Sequence, residues 1–139
     1  MYRFDKSQWP IVIVTHDSSH TDEDFDAYLR GLEGLFTSGE RYAYVDVMPA
    51  SMTLPPFARI KRFISWFREH RDEADHWCVG AASVIPNAAA RGAATFFVQV
   101  TKSATPRYFA KDLQDALDWA RTQLAANAPR AERDVRNPS

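Results

Sequence analysis

Along the chain, continuous or alternating apolar runs that are typical of strands take turns with apolar residues at helical spacing. Residues 9–14 form a continuous, mostly β-branched apolar run, which is typical of a strand that is covered on both faces. Behind it, Thr21 and three acidic residues have the composition of a helix start, and Phe25 and Leu29 begin an apolar stripe at helical spacing. The pattern therefore predicts a buried strand followed by an amphipathic helix.

The same alternation continues toward the C-terminus. A short hairpin is expected before the first buried strand, because Tyr2 and Phe4 alternate with polar neighbours. Further strands are expected at 41–48, 76–84 and 107–110, and further helices at 57–71, from Pro86, and from Asp112 to Leu124. Strands and helices that alternate in this way predict an α/β fold, a mostly parallel sheet of four to five strands with helices against it.

The length of the chain sets its domain organisation. A chain of 139 residues is most simply one domain with one core, and we expect that domain to cover residues 1–126. Residues 127–139 carry charge, two prolines and a single large apolar side chain, Val135. This composition is typical of a flexible C-terminal tail.

Composition and charge narrow the classes of function. The chain has 17 Lys and Arg against 18 Asp and Glu, and its formal net charge of -1 argues against a protein that coats nucleic acid or an acidic membrane. The single cysteine, Cys78, cannot form an intramolecular disulfide, and no apolar run approaches the roughly 18 residues of a membrane span. We therefore expect a cytoplasmic protein with no transmembrane segment and no nucleic-acid partner.

Polar residues follow the first two buried strands, at the edge where a parallel sheet usually binds ligands. His16 and Asp17 end the first of these strands and Asp46 lies near the end of the second, so these three residues are expected to line a ligand pocket. A hydrolase would use His16 as base, Asp46 to orient it, and Ser51 or Ser83 as nucleophile. The glycine-flanked serine of a nucleophile elbow is missing, so we expect no catalytic residue.

Metal and cofactor binding are not indicated by the sequence. The histidines and acids after the first buried strand lack a recognised metal-ligand spacing. Asp22, Glu23 and Asp24 are explained by the positive end of a helix dipole. No glycine-rich phosphate loop follows any strand, which argues against a nucleotide cofactor. We expect no metal, no cofactor and no enzymatic activity.

The second predicted helix, residues 57–71, combines an apolar stripe with a basic surface. Its buried stripe is expected to consist of Phe57, Ile60, Ile64 and Phe67. Trp66 lies about 110° from the centre of this stripe, where an aromatic side chain among arginines can anchor an acidic partner. Alternatively, Trp66 packs under the following loop and the charges form a solvated face. The partner contact is expected to comprise Ser51, Thr53, Arg59, Arg62, Phe63, Trp66 and His70.

Short sequence signatures accompany this order of elements. They are residues 44–47 (YVDV), the loop with Ser51 and Thr53, the helix 57–71, the strand 78–82 (CVGAA) and the ending 108–119 (YFAKDLQDALDW). Together they resemble the SpoIIAA-like, or STAS-like, domains over nearly the whole of residues 9–124. The resemblance implies a β-α superhelix of four turns and a small regulatory or interaction module without catalysis.

The resemblance also suggests a site of modification. In one branch of the family, a serine in an Asp-Ser-Ser-Gly-like loop is phosphorylated, which breaks binding to a kinase. The corresponding loop here contains Ser51 and Thr53 but lacks that motif. These two hydroxyl groups are therefore candidate phosphorylation sites.

Two functional hypotheses follow. The first is a non-enzymatic regulatory module that binds a partner protein through the loop 49–56 and the helix 57–71. The acidic end of the first helix and the basic second helix would also allow a head-to-tail homodimer. The alternative is a carrier or sensor of a small molecule or lipid, with Phe63, Phe96 and Phe97 lining a cleft between helices.

Overall fold

A computed structural model describes residues 2–17, 21–49, 56–85, 91–92 and 104–136, with side chains described as far as Asn127. The strands are β1 (Tyr2–Gln8), β2 (Ile11–His16), β3 (Tyr42–Val47), β4 (Cys78–Val84) and β5 (Arg107–Ala110). The helices are α1 (Asp22–Phe36), α2 (Phe57–Trp77) and α3 (Leu113–Arg136). The two residues Arg91 and Gly92 are also helical.

The five strands form one sheet in the order β1-β2-β3-β4-β5. β1 and β2 make the predicted hairpin and are antiparallel, whereas β2, β3, β4 and β5 are parallel to one another. The predicted α/β fold with a mostly parallel sheet is therefore confirmed. This arrangement places the carboxyl ends of β2 and β3 side by side at one edge of the sheet.

Helices cover both faces of the sheet. Val12 and Val14 are fully buried against α1, and the partly buried aromatic residues of α2 pack against the same cluster. The alternate residues Ile11 and Ile13 belong to a second cluster, which includes Leu117 of α3. Since neighbouring residues of β2 are buried on opposite faces, the continuous apolar run in the sequence is explained.

The ends of two helices form as their sequences predict. The hydroxyl of Thr21 accepts a hydrogen bond from the Asp24 backbone N–H at 3.1 Å, and the Asp24 carboxylate accepts one from the Thr21 N–H at 3.0 Å. This reciprocal pair fixes the start of α1. Asp112 caps α3 in a related way, because its carboxylate accepts a hydrogen bond from the Asp115 N–H at 2.8 Å.

The structure corrects two predictions about α2. The helix continues to Trp77, so His76 lies in α2 and not in β4. Phe57 was expected in the buried stripe, but it is 75% exposed, because α2 turns the side that carries Phe63 and Phe67 toward the rest of the protein. The helix expected from Pro86 falls mainly on residues outside those that the structure describes.

α3 is longer than the apolar pattern indicated. The helix runs through Arg136, beyond residue 127, where the flexible tail was expected to begin. The flexibility of residues 127–139 stays a prediction. None of the described helices has the length and hydropathy needed to cross a membrane.

Trp119 of α3 is a packing residue. Its ring stacks on Tyr108 of β5 at 5.4 Å between centroids and lies over Gly80 of β4. A Cβ atom at Gly80 would stand only 2.8 Å from the Trp119 ring. Gly80 therefore provides the space that brings α3 close to the sheet.

Candidate functional site

The carboxyl ends of β2 and β3 bring two predicted site residues together. His16 is the last residue of β2, and Asp46 lies opposite Val14 in the parallel register. Nε2 of His16 and Oδ1 of Asp46 are in direct contact, and the two residues are only 8% and 9% exposed. Asp17, the third residue expected in this pocket, follows β2 and is exposed.

Two tyrosines extend this pair into a buried polar network. The Tyr44 hydroxyl donates a hydrogen bond to Oδ1 of Asp46 at 3.1 Å, and the hydroxyls of Tyr44 and Tyr28 are 2.6 Å apart. Burial raises the pKa of both phenols well above the usual value of 10, so both stay protonated at neutral pH. The Asp46 carboxylate is therefore held from two sides, by His16 and by Tyr44.

Tyr2 of β1 covers the network. Its ring meets the His16 ring edge-on at 4.7 Å and stacks on Tyr28 at 4.4 Å. Burial raises the pKa of Tyr2 to about 12, with Asp46 and Asp24 adding to the rise and Arg59 opposing it. The Tyr2 phenol is therefore close enough to be influenced by Asp46, by Asp24 at the start of α1 and by Arg59 at the start of α2.

Two arginines of the predicted partner contact make ion pairs with α1. Arg59 donates to Asp22 at 3.0 Å and keeps only 14% of its side chain exposed, with its guanidinium 5.7 Å from the Phe25 ring centre. Arg62 pairs with Asp26 but remains 51% exposed. Of these two cations, only Arg62 presents a large part of its side chain at the surface.

The aromatic residues of the predicted contact also face α1. The Trp66 indole donates to Glu33 at 2.8 Å and stacks on Phe36 at 6.2 Å between ring centres. The His70 ring lies 4.8 Å from that of Trp66, and Phe63 is partly buried in the same cluster. Trp66 therefore joins two helices rather than packing under the following loop, and because it stays partly exposed its role as a partner anchor remains a prediction.

Phe57 is a surface feature that sequence reasoning missed. It is 75% exposed at the first turn of α2, and the Lys61 ammonium lies 5.7 Å from its ring centre. Lys61 and Arg68 are exposed along the same side of the helix. The helical spacing that put Phe57 in the buried stripe gave no signal of this exposure. Ser51 and Thr53, in the preceding loop, lie outside the described residues.

A nucleophile does not join the His16–Asp46 pair in the part of the chain that the structure describes. Ser83 lies opposite Asp46 in the register of β3 and β4, but no hydrogen bond links it to His16. Likewise, no described group of three or more His, Cys, Asp or Glu side chains is arranged to hold a metal ion.

Cys78 has an environment that suppresses thiol chemistry. Its Sγ donates to the Gly80 carbonyl at 3.3 Å, and burial raises the pKa of the thiol to about 11. We expect alkylation by iodoacetamide at pH 8 to be at least about 100-fold slower in the native protein than after unfolding in guanidinium chloride, because both burial and the raised pKa reduce the accessible thiolate. Mass spectrometry of the alkylated chain over time measures this, and equal native and unfolded rates would contradict it.

Comparison with known proteins assigns this chain to no family, so the protein is classified here by its fold. No protein family, no curated protein and no solved structure matches this chain. The structure defines an α/β protein with a five-stranded, mostly parallel sheet and a buried His-Asp-Tyr network at its carboxyl edge.

Proposed function

We propose that the protein is a non-enzymatic, cytoplasmic regulatory module of STAS-like type that binds a partner protein through the loop 49–56 and the first half of α2. The observation that carries this proposal is the exposure of Phe57 directly behind that loop. A large aromatic side chain that remains 75% exposed can bury substantial apolar area when a partner covers it.

The charges around Phe57 support an acidic partner surface. Lys61 and Arg68 are exposed on the same side of α2 as Phe57, whereas Arg62, which is 51% exposed, lies toward α1 and pairs with Asp26. Cations around an apolar anchor steer an acidic protein toward it and orient the encounter. The aromatic residues Phe63 and Trp66 have a different part in this proposal, since they hold α2 against α1 and thereby fix the exposed face.

The regulatory part of the proposal rests on the resemblance to STAS-like domains. The sequential order of four parallel strands is compatible with the superhelix that the resemblance implies. Ser51 and Thr53 remain candidate phosphorylation sites in the loop next to Phe57. A phosphate there would place negative charge beside the basic surface of α2 and weaken binding of an acidic partner.

Phe57→Asp is the substitution that tests this surface. We expect it to lower recovery of the partner from the protein's own cells at least about tenfold, because it removes the apolar anchor and repels acidic groups. The free energy of unfolding should change by less than about 0.5 kcal/mol, since Phe57 is exposed and an acid suits the start of a helix. Quantitative mass spectrometry after affinity capture measures the recovery.

Leu113→Asp provides a matched control. Leu113 is also the first residue of its helix and an exposed apolar residue, 40% against 75% for Phe57, so the same substitution makes the same change of charge at a distant site. We expect this variant to recover the same proteins as the wild type. If Phe57→Asp and Leu113→Asp leave recovery equally unchanged, the proposed surface is wrong.

A further inference from the structure

The two oxygens of the Asp46 carboxylate have different environments. Oδ1 contacts Nε2 of His16 and accepts the hydrogen bond from Tyr44. Oδ2 accepts no hydrogen bond from any residue within the described ranges, although the residue as a whole is only 9% exposed. The side chain nevertheless keeps 13% of its surface accessible. A carboxylate fixed through one oxygen is therefore positioned to offer the other to a ligand.

The charges near this carboxylate favour a cation. The first turn of α1 contributes Asp22, Glu23 and Asp24, and the Asp24 charge acts on Tyr2 together with that of Asp46. The opposing cations are Arg59, whose guanidinium is engaged by Asp22 at 3.0 Å, and Arg107, whose charge opposes the raised pKa of Tyr28. The resulting excess of negative charge attracts a positively charged ligand and repels an anionic one.

Aromatic rings provide a second reason for a cation. Tyr2 packs on His16 and Tyr28, and the Tyr28 ring itself lies 5.5 Å from that of His16. The faces of such rings carry partial negative charge and attract ammonium groups, most strongly where water is excluded. A carboxylate beside several aromatic rings is therefore suited to an organic ammonium ion, whose alkyl part also gains from apolar contact.

We propose that Asp46 anchors a binding site for the ammonium group of a small organic amine at the carboxyl edge of β2 and β3. The ammonium donates to Oδ2, while His16 and Tyr44 hold Oδ1 in place. This site does not involve the partner surface around Phe57. It agrees with the alternative hypothesis of a small-molecule sensor and specifies that the ligand is an organic amine. A metal ion is less suited to it, because no described group supplies three ligands.

Two small probes of opposite charge test the proposal on the wild-type protein. Butylammonium chloride and sodium butyrate share an alkyl chain and differ in the charged group. We expect butylammonium to produce saturable shifts of the His16 imidazole signals in NMR spectra, and butyrate to produce none of comparable size at the same concentration. Equal shifts with both ions, or no saturable shift with butylammonium, would overturn the proposal, and neither result depends on a variant.

Asp46→Asn then identifies the anchor. The amide keeps the shape of the carboxylate and its acceptor for Tyr44 but lacks the negative charge, so we expect butylammonium to bind at least about tenfold more weakly. Asp118→Asn is the control, because it removes the same charge from an exposed site on α3. We expect binding to the control to match the wild type. Unchanged binding to a folded Asp46→Asn variant would contradict the role of Asp46.

Discussion

Replacing Asp46 by valine should lower the free energy of unfolding by about 3 kcal/mol. The substitution removes the carboxylate that contacts His16 and accepts from Tyr44, and leaves both polar side chains buried without it. A buried polar group that loses its partner costs more than the lost hydrogen bond, because it was removed from water on folding. Urea unfolding of wild type and variant measures the difference.

A conservative substitution of Asp46, and the same valine substitution in a His16→Leu variant, identify which lost contact causes the destabilisation. Asp46→Asn can still accept from Tyr44, so we expect it to cost clearly less than Asp46→Val. If the loss of the His16 contact causes the destabilisation, Asp46→Val should also cost less in a His16→Leu background, since that background has no imidazole contact with Asp46 to lose. An Asp46→Val variant as stable as the wild type would show that the network does not stabilise the fold.

Gly80→Ala should destabilise the protein by about 2 kcal/mol, although alanine is ordinarily acceptable in a strand. The added Cβ would lie 2.8 Å from one atom of the Trp119 ring and 2.9 Å from the next. Trp119 cannot easily move away, because its ring stacks on Tyr108 at a 9° interplanar angle. The variant must therefore shift α3 relative to the sheet, and thermal or urea unfolding reports the cost.

Two comparisons distinguish this steric effect from a general effect of alanine. Gly34→Ala, in α1, meets no atom within 4 Å and should be neutral or stabilising by up to about 1 kcal/mol through helix propensity. In a Trp119→Ala background, Gly80→Ala should lose most of its effect, since the obstructing ring is absent. The same cost in both backgrounds would contradict the contact as its cause.

The order of elements was predictable because its signals are local. The β-branched run of β2, the capping sequence at Thr21 and the short strand β5 each depend on neighbouring residues, and each forms as predicted. The end of α2 was less predictable, since His76 and Trp77 suit a strand as well as a helix. Local composition does not decide between the two at that position.

The exposed face of α2 could not be derived from periodicity alone. Helical spacing indicates which residues share a side, but the position of the neighbouring helix decides which side is buried. Here α1 contacts the side with Trp66, through Glu33 and Phe36, and Phe57 is left exposed. Trp66 is therefore held against α1, and its expected role in a partner contact stays a prediction.

The candidate site was predictable in part. The rule that ligands bind at the carboxyl ends of parallel strands brings His16 and Asp46 to one place, and the structure has them in contact. Tyr44 could have been included, because it lies two residues before Asp46 and therefore on the same side of β3. Tyr2 and Tyr28 reach the network from other elements, and no local pattern indicates that approach.

Native mass spectrometry of the protein isolated from its own cells tests whether a partner protein binds through the surface around Phe57. We expect a discrete complex of this chain with a second protein, and its loss in Phe57→Asp but not in Leu113→Asp. A complex that persists unchanged in Phe57→Asp, or a wild-type chain that is found only without a protein partner, would contradict this proposal.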